Sequence, residues 1–188
     1  MNSFLLLDAA ITFATRAHSG VYRKGTQTPY ILHPLESAAI VATMTNDVEI
    51  MAAEVLHDTV EDTDTTLVDI QQKFGERIAK LVAAESEDKQ NDRPAAETWR
   101  ERKQATIDYL NTTATLDEKM ITLGDKLSNI RAMHRDYQAF GDSLWERFNQ
   151  KDKAEHGWYY KAISDALSDL KAFPAFHEYR RLVDEVFC

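Results

Sequence analysis

The chain has 188 residues, of which 44% are hydrophobic and 28% charged, a balance typical of one folded domain rather than of a disordered segment. Six glycines and four prolines are too few for the frequent turns of a many-stranded sandwich or barrel. The formal net charge of −9 disfavours nucleic-acid binding, and the single cysteine, Cys188, excludes an internal disulfide and a cysteine-based zinc site.

Apolar runs in the sequence are short. The start of the chain lacks a basic leader pattern, and the longest later apolar run, residues 38–42, is far below the ~20 residues that span a bilayer. We therefore expect a soluble, cytoplasmic protein that does not associate with membranes.

Helical periodicity dominates the sequence and predicts an all-α fold, a compact bundle of roughly eight to ten helices. Apolar residues from Phe4 to Ala17 recur every three or four positions, for example, and Gly20 is expected to end this first helix. No interior stretch has the composition of a linker, so residues 1–188 are predicted to form a single domain. The predicted helices cover residues 1–20, 34–45, 48–60, a short segment after 66, one segment containing 78–82, and then 97–110, 116–137, 144–148, 158–173 and 176–187.

Turn and capping residues place the loops between these helices. Asp47 is expected to cap the helix over 48–60, and Thr66 with Asp69 three residues later resembles a capping box. Residues 21–33 lack helical periodicity and are predicted to form a loop. The polar stretch 88–94 is predicted to be a flexible loop, with a plain solvated connector as an equal alternative.

Histidine placement gives the first indication of chemistry. His57 and Asp58 come near the end of an apolar helix. Glu61 follows His57 by four residues, and Asp62 follows Asp58 by four residues. In a continuous helix this spacing stacks the pairs along adjoining faces and crowds three carboxylates and one imidazole into about two turns. Because the carboxylates repel one another, a bound divalent cation is the simplest compensation.

A cation needs further ligands, and two more side chains are candidates. His33 lies where a loop enters a helix, and Asp125 lies in mid-helix beside apolar residues, where a carboxylate needs a partner. Imidazole and carboxylate donors without thiolates suit manganese, iron or zinc. Two alternatives stay open: Asp125 pairs with Lys126 or Arg131, and His33 is an ordinary capping residue.

Several short motifs occur in a fixed order between His18 and Asn129. They are Ala17-His18, Arg23-Lys24-Gly25, Pro29-Tyr30-Ile31-Leu32-His33-Pro34, Leu56 through Thr63, Phe74-Gly75, Glu87-Asp88-Lys89, Arg102-Lys103 and Leu123 through Asn129. In this order they resemble the HD-domain superfamily of metal-dependent phosphohydrolases, specifically the hydrolase module of RelA/SpoT-type alarmone enzymes. The resemblance is closest to the stand-alone small alarmone hydrolases, with residues 141–188 as helices that complete the fold.

The resemblance implies a role for each matching residue. The ligands of one divalent ion, usually manganese in this family, would be His33, His57, Asp58 and Asp125. The attacking water would be oriented and deprotonated by Glu61 and Asp62, and Asn129 would help to hold the substrate near the metal. The remaining substrate contacts would come from Arg23, Lys24, Arg102, Lys103 and either Tyr159 or Tyr160.

Plain structural interpretations of the same residues compete with these roles. By residue type alone, the basic pair 23–24 is more typical of solvated loop charges, and the pair 102–103 is compatible with a charged helix face. Aromatic residues between 145 and 160 are more typical of a core than of a nucleotide platform. His18 is expected to pack at a helix end. The histidines expected to be exposed are His134, His156 and His177.

The resemblance implies a manganese-dependent hydrolase that removes the 3′-pyrophosphate from guanosine 3′,5′-bis(diphosphate). Three departures leave the substrate open: Thr122 replaces a common lysine, residues 84–86 replace a valine- and threonine-containing run, and residues 145–160 are longer and more charged. The alternatives are another phosphorylated nucleotide, such as an adenosine alarmone or a 2′-phosphorylated dinucleotide, and a non-catalytic nucleotide-binding module. The expected partner is a small nucleotide, and homo-oligomerisation stays open.

Overall fold

The computed structural model describes residues 3–86 and 93–188. In these ranges the fold is all-α, as predicted, and no helix combines the length and apolar character needed to cross a membrane. The predicted polar loop at 88–94 and the Glu87-Asp88-Lys89 motif lie largely outside the described residues. The helices are α1 (Ser3–Ala17), α2 (Leu32–Val41), α3 (Val48–Leu56), α4 (Thr59–Asp62), α5 (Leu67–Phe74), α6 (Glu76–Glu85), α7 (Ala95–Thr112), α8 (Leu116–Phe140), α9 (Lys153–Ala166) and α10 (Pro174–Phe187), with 3-10 segments at Gly141–Arg147 and Ser168–Leu170.

Helix α8 lies at the centre of the fold. It packs against α2, α3, α6 and α10, and several of its apolar side chains are fully buried, among them Ile121, Leu123, Leu127 and Ile130. Removal of these side chains from water is a main driving force for assembly of the bundle. The C-terminal helices belong to the same core, because α10 packs against both α8 and α9.

Gly124 sets the separation of α2 and α8. A Cβ atom at this position would lie 2.7 Å from Cγ2 of Val41 and 3.0 Å from the carbonyl oxygen of Ser37, both on α2. Only a residue without a side chain therefore lets the two helices approach this closely. The approach brings His33 in the first turn of α2 beside Asp125 on α8.

The predicted helix over 48–60 is interrupted, which is a correction to the sequence interpretation. Helix α3 ends at Leu56 and α4 begins at Thr59, so His57 and Asp58 form a turn. The hydroxyl of Thr59 donates to the Leu56 carbonyl over 2.7 Å, and the His57 ring lies 2.6 Å from the Glu54 carbonyl. In a continuous helix, backbone N–H groups would donate to these two carbonyl oxygens, so the side-chain contacts compete with the helical hydrogen bonds.

Other boundaries differ less. The predicted helix over 158–173 begins earlier, at Lys153, and ends at Ala166. The predicted helix over 144–148 overlaps the first 3-10 segment, which begins at Gly141 and ends at Arg147. The cap at Asp47 is confirmed, since its carboxylate accepts from the Glu49 N–H at 2.9 Å. The capping box of Thr66 and Asp69 is confirmed as well.

Residues 21–30 form a closed loop, which we call the basic loop. An isolated antiparallel bridge pairs Tyr22 with Pro29. The Arg23 N–H donates to the Thr28 carbonyl at 2.8 Å, and Gly25 takes the positive φ of +71° that the tip of the loop requires. The predicted loop is therefore held by its own backbone, and its two basic residues have defined positions.

Candidate metal centre and substrate cavities

Four side chains meet at the turn between α3 and α4. The Nε2 atom of His33 lies 3.1 Å from Oδ1 of Asp125 and 3.5 Å from Oδ2 of Asp58. The Nε2 atom of His57 lies 3.1 Å from Oδ2 of Asp58 and 3.8 Å from Oδ1 of Asp125. The structure thus brings together the four residues that the sequence singled out as candidate ligands. We call these four residues the quartet.

Hydrogen bonds fix the tautomers of both imidazoles. Nδ1 of His57 faces the Glu54 carbonyl, which only accepts, so this nitrogen carries a hydrogen. Nδ1 of His33 lies 2.9 Å from the Ser128 hydroxyl, which itself donates to Glu36 at 2.9 Å. Because the serine hydrogen is used on Glu36, Nδ1 of His33 is the donor there. In the neutral rings, both Nε2 lone pairs therefore face the quartet carboxylates, as metal ligands require.

At the quartet, burial and the neighbouring carboxylates act on the pKa values of the two imidazoles in opposite directions. Burial lowers the pKa of His33. Burial acts in the same direction on His57, but Asp58 and Glu54 outweigh it and raise the pKa of His57 well above its usual value. Within the described residues, Nε2 of His57 is buried without a hydrogen-bond partner.

The donor atoms of the quartet fit a divalent cation. One ligand atom each from His33, His57 and Asp58 lie within 4.8 Å of one another, and Asp125 adds a carboxylate oxygen beside both imidazoles. Two imidazole nitrogens and two carboxylate oxygens suit manganese, iron or zinc. A cation among them would remove the repulsion between lone pairs and carboxylates.

Asp125 is oriented by its own helix. It is paired with Lys126, and Oδ1 accepts from the Asn129 amide at 2.5 Å. The Asn129 oxygen in turn accepts from Nη2 of Arg23 at 2.7 Å. Of the alternatives from the sequence, the Lys126 pair exists in addition to the two imidazole contacts, whereas Arg131 pairs with glutamates elsewhere.

Tyr30 is a site residue to which sequence reasoning gave no role. Its hydroxyl donates to Oδ2 of Asp58 at 2.7 Å, and Arg23 lies over its ring at 5.6 Å from the centroid. The ring also lies against the buried His18, with centroids 4.9 Å apart, which confirms that His18 packs at a helix end. The one available signal was the position of Tyr30 three residues before His33.

A first cavity of about 360 Å³ lies on the His57 side of the quartet. It includes half-buried Glu61 and also Arg102, Lys103 and Tyr159, three of the residues expected to contact substrate. Asp62 is exposed and lies in a separate groove with Asp64 and Asp69. The two members of the predicted acidic pair therefore face different surroundings.

A second cavity of about 430 Å³ lies on the His33 side. Arg23, Lys24 and Asn129 line it near the quartet, and Arg147 and Phe148 also contribute to its wall. Among the residues that the structure describes, none lines both cavities, and the quartet is divided between them: His33 lines the second and the other three members line the first. The quartet consequently forms the partition between two cavities, each of which contains cations.

Comparison with known proteins identifies the family of this chain. Residues 10–150 match the family model described as HD domain. The chain belongs to the HD domain family. Its relatives include the guanosine-3′,5′-bis(diphosphate) 3′-pyrophosphohydrolase MESH1 of Danio rerio, 36% identical over 137 residues that cover 71% of this chain and 72% of the relative. The Homo sapiens MESH1 is 37% identical over 133 residues, covering 69% and 70%.

A solved structure has the same fold. The crystal structure of lmo0812 from Listeria monocytogenes EGD-e superposes on this HD domain with a TM-score of 0.73 at 33% identity. The match covers 87% of this chain and 100% of that chain. The predicted HD-domain membership is confirmed.

Thr122 and Glu85 form a polar pair in the first cavity of this HD domain. The Thr122 hydroxyl donates to the Glu85 carboxylate. Burial raises the pKa of Glu85 to about 7, against the opposing charge of Lys126. Thr122 stands where the family resemblance predicts a lysine, so this position contributes no positive charge. Its hydroxyl donates to a carboxyl group instead. Sequence reasoning noted both departures but did not pair them.

The aromatic cluster of this HD domain is largely core. Trp145 is buried and stacks on His156 at a centroid distance of 5.3 Å, while the His156 ring lies 2.9 Å from the Gln150 carbonyl. The expectation that His156 is exposed was wrong, because the charged residues before it lie in a loop and the first turn of α9. Tyr159 lines the first cavity and Tyr160 the second.

Proposed function

We propose that this HD domain hydrolyses guanosine 3′,5′-bis(diphosphate). Water is added across the ester bond at the 3′ oxygen, which releases guanosine 5′-diphosphate and pyrophosphate. The quartet carries the proposal, because two imidazole nitrogens and two carboxylates converge between two cation-containing cavities. The MESH1 relatives bear the name of this activity.

The proposed cofactor is one Mn²⁺ ion held by the quartet. When bound, such an ion lowers the pKa of a coordinated water and withdraws charge from phosphoryl oxygens. The protein supplies fixed donor orientations: the Glu54 carbonyl and Ser128 set the imidazole tautomers, and Tyr30 and Asn129 hold the carboxylates. These outer contacts matter because a ligand that rotates freely binds metal weakly.

Glu61 is the proposed proton acceptor. It lies four residues after His57 and lines the first cavity together with Asp58, so it shares this cavity with any water that enters beside the quartet. A positioned general base of this kind contributes roughly 100- to 10,000-fold to turnover. Asp62 faces another groove, and we assign it a positioning role through its charge, which acts on Tyr30 and His18.

The proposed substrate contacts are divided between the cavities. Arg23 and Lys24 supply positive charge in the second cavity, and Arg102 and Lys103 supply it in the first, where Tyr159 forms part of the wall. Arginine is suited to phosphate because its planar fork bonds two oxygens at once. These local cations offset the net charge of −9 for a small anion.

A second candidate function is hydrolysis of another phosphorylated nucleotide by the same quartet. The Thr122–Glu85 pair favours this candidate, because it places an acid where a phosphate-binding cation was expected. The Glu85 carboxyl group in the first cavity would favour a ligand with a hydroxyl or amino group that donates a hydrogen bond.

We also propose that residues 1–188 form one HD hydrolase domain that works in the cytoplasm. The helices after residue 141 share the core of α8, which supports a single domain. The net negative charge opposes binding of nucleic acid, so the expected ligand is a small nucleotide. No membrane partner is proposed.

The proposal is tested with metal-stripped protein to which Mn²⁺, Mg²⁺ or Zn²⁺ is returned. Guanosine 3′,5′-bis(diphosphate), its adenosine counterpart and NADPH serve as substrates, with product identification by chromatography. We expect Mn²⁺-dependent release of guanosine 5′-diphosphate and pyrophosphate. Preferred cleavage of another nucleotide would select the second candidate, and no cleavage with any metal would refute both.

A matched pair of variants tests the role of Glu61. Glu61→Gln should retain bound metal but lose about 100-fold or more of its turnover, because the amide cannot accept the proton. Glu97→Gln, on the exposed start of α7, is the control and should behave like the unmodified protein. Normal turnover of Glu61→Gln would remove Glu61 from the mechanism.

A further inference from the structure

The first 3-10 segment, Gly141–Arg147, packs on the tip of the basic loop. A Cβ atom at Gly25 would lie only 2.8 Å from Cδ and 3.1 Å from Cγ of Arg147, so the arginine side chain runs directly over the glycine. Two residues after the segment, Asn149 accepts a hydrogen bond from Nζ of Lys24 at 3.1 Å. The segment and the basic loop therefore form one continuous part of the second cavity.

Arg147 is held firmly in this position. Its Nη1 atom donates to Oδ2 of Asp136 at 2.8 Å, and its guanidinium lies 4.6 Å from the centroid of the Phe140 ring. The side chain is 20% exposed and lines the cavity. Within the described part of the chain, the Asp136 carboxylate is its hydrogen-bond partner, which engages only one of the five N–H groups that a guanidinium offers.

The charges around the second cavity favour an anion. In the described ranges 3–86 and 93–188, four cations line it, Arg23, Lys24, Arg135 and Arg147, against two acids, Glu36 and Asp136. Both acids are already engaged, Glu36 by Ser128 and Arg131 and Asp136 by Arg147. The cavity is therefore electropositive in a chain whose net charge is −9. Arg23 is engaged with Asn129 beside the quartet, whereas Arg147 lies over the loop tip.

The proposed substrate carries two diphosphates on one ribose. When the 3′-diphosphate lies at the quartet, the 5′-diphosphate needs a separate anion site in reach of the same nucleoside. We propose that Arg147, over the tip of the basic loop in the second cavity, binds the 5′-diphosphate and makes the enzyme selective for nucleotides phosphorylated at both positions. This inference rests on the proposed function and adds a specificity-determining residue to it.

The test compares two substrates that differ only at the 5′ position. They are guanosine 3′,5′-bis(diphosphate) and guanosine 3′-diphosphate, which has a 5′ hydroxyl. Arg147→Gln should raise the KM for the first by about tenfold, the size expected for a lost charged hydrogen bond, with kcat changed by less than about twofold. The KM for the second should change by less than about twofold, because that substrate has no group for Arg147 to bind.

Two further variants separate binding from structural support. Asp136→Asn removes the negative charge that pairs with Arg147 but keeps an acceptor oxygen and the cation, so the preference for the bis(diphosphate) should survive. Arg181→Gln removes an exposed arginine of α10 that pairs with Glu185, and both KM values should match those of the unmodified protein. An equal rise of both KM values in Arg147→Gln, or no rise, would overturn the inference.

Direct binding distinguishes failure of this inference from failure of the proposed function. If the unmodified protein cleaves neither guanosine substrate, isothermal titration calorimetry with guanosine 5′-diphosphate and with guanosine replaces the kinetic readout. Arg147→Gln should weaken binding of the diphosphate by about tenfold relative to guanosine. Equal binding of the diphosphate by both proteins would refute the role of Arg147 irrespective of turnover.

Discussion

Removal of one hydroxyl group tests whether the surroundings of the quartet tune metal binding. The Tyr30 hydroxyl donates to Oδ2 of Asp58 at 2.7 Å, and Tyr30→Phe deletes this bond while it keeps the ring that packs between His18 and Arg23. A hydrogen bond to a charged group contributes about 1.5–3 kcal/mol. Loss of an outer-shell partner of a ligand typically weakens metal binding by about 10- to 100-fold. The two ranges agree, because about 1.4 kcal/mol corresponds to a factor of ten.

The assay is titration of metal-stripped protein with Mn²⁺, with free Mn²⁺ measured by electron paramagnetic resonance. Tyr30→Phe should raise the dissociation constant by about 10- to 100-fold. Tyr22→Phe, which removes the hydroxyl of an exposed tyrosine in the same loop, is the control and should bind as the unmodified protein does. Equal affinity of Tyr30→Phe and the unmodified protein would refute the idea that this bond orients Asp58 for the metal.

Two other predictions concern stability, both measured by urea unfolding. Gly124→Ala should lower the free energy of unfolding by about 1–3 kcal/mol, because its Cβ atom would meet the backbone of α2. The higher helix propensity of alanine, about 1 kcal/mol, offsets part of the cost of this contact. Gly157→Ala, whose Cβ atom would meet only the Phe187 side chain at 3.3 Å, should cost less, and an equal loss would contradict the close-approach argument. Glu85 binds its proton more tightly when folded, with a pKa of about 7 against 4.5, so its contribution to stability should fall as pH rises through that interval. In metal-free protein Glu85→Gln should therefore weaken the decline between pH 4.5 and 7, and an unchanged profile would show that this carboxyl does not titrate there.

The helices were predictable where apolar residues recur at helical spacing, as in α1 and in α10, where Phe176, Tyr179, Leu182 and Val183 are buried. The interruption at His57 was not, since the turn depends on side-chain bonds to the Glu54 and Leu56 carbonyls that compete with a helix only once these groups are buried. His156 was mistaken for a surface residue because charged neighbours dominate its local sequence. His156 is buried because it stacks on Trp145, and the residues next to His156 in the sequence give no indication of this contact.

The quartet was accessible from sequence because its motifs, distant in the chain, have a recognisable order. The contacts around it were harder to predict. Tyr30 contacts Asp58, and Thr122 contacts Glu85, across separations of 28 and 37 residues that no periodicity connects. The family resemblance also implied that Glu61 and Asp62 act together on one water, whereas these successive residues of the short helix α4 line different cavities.

The partition formed by the quartet has a consequence for the order of events after cleavage. If the nucleoside occupies one chamber and the departing pyrophosphate occupies the other, neither product blocks the exit of the other product. Departure would then follow no compulsory sequence, and each product alone would compete with fresh substrate for its own half of the site. Inhibition by the two products together would be stronger than inhibition by either product alone, because both products occupy the site at the same time.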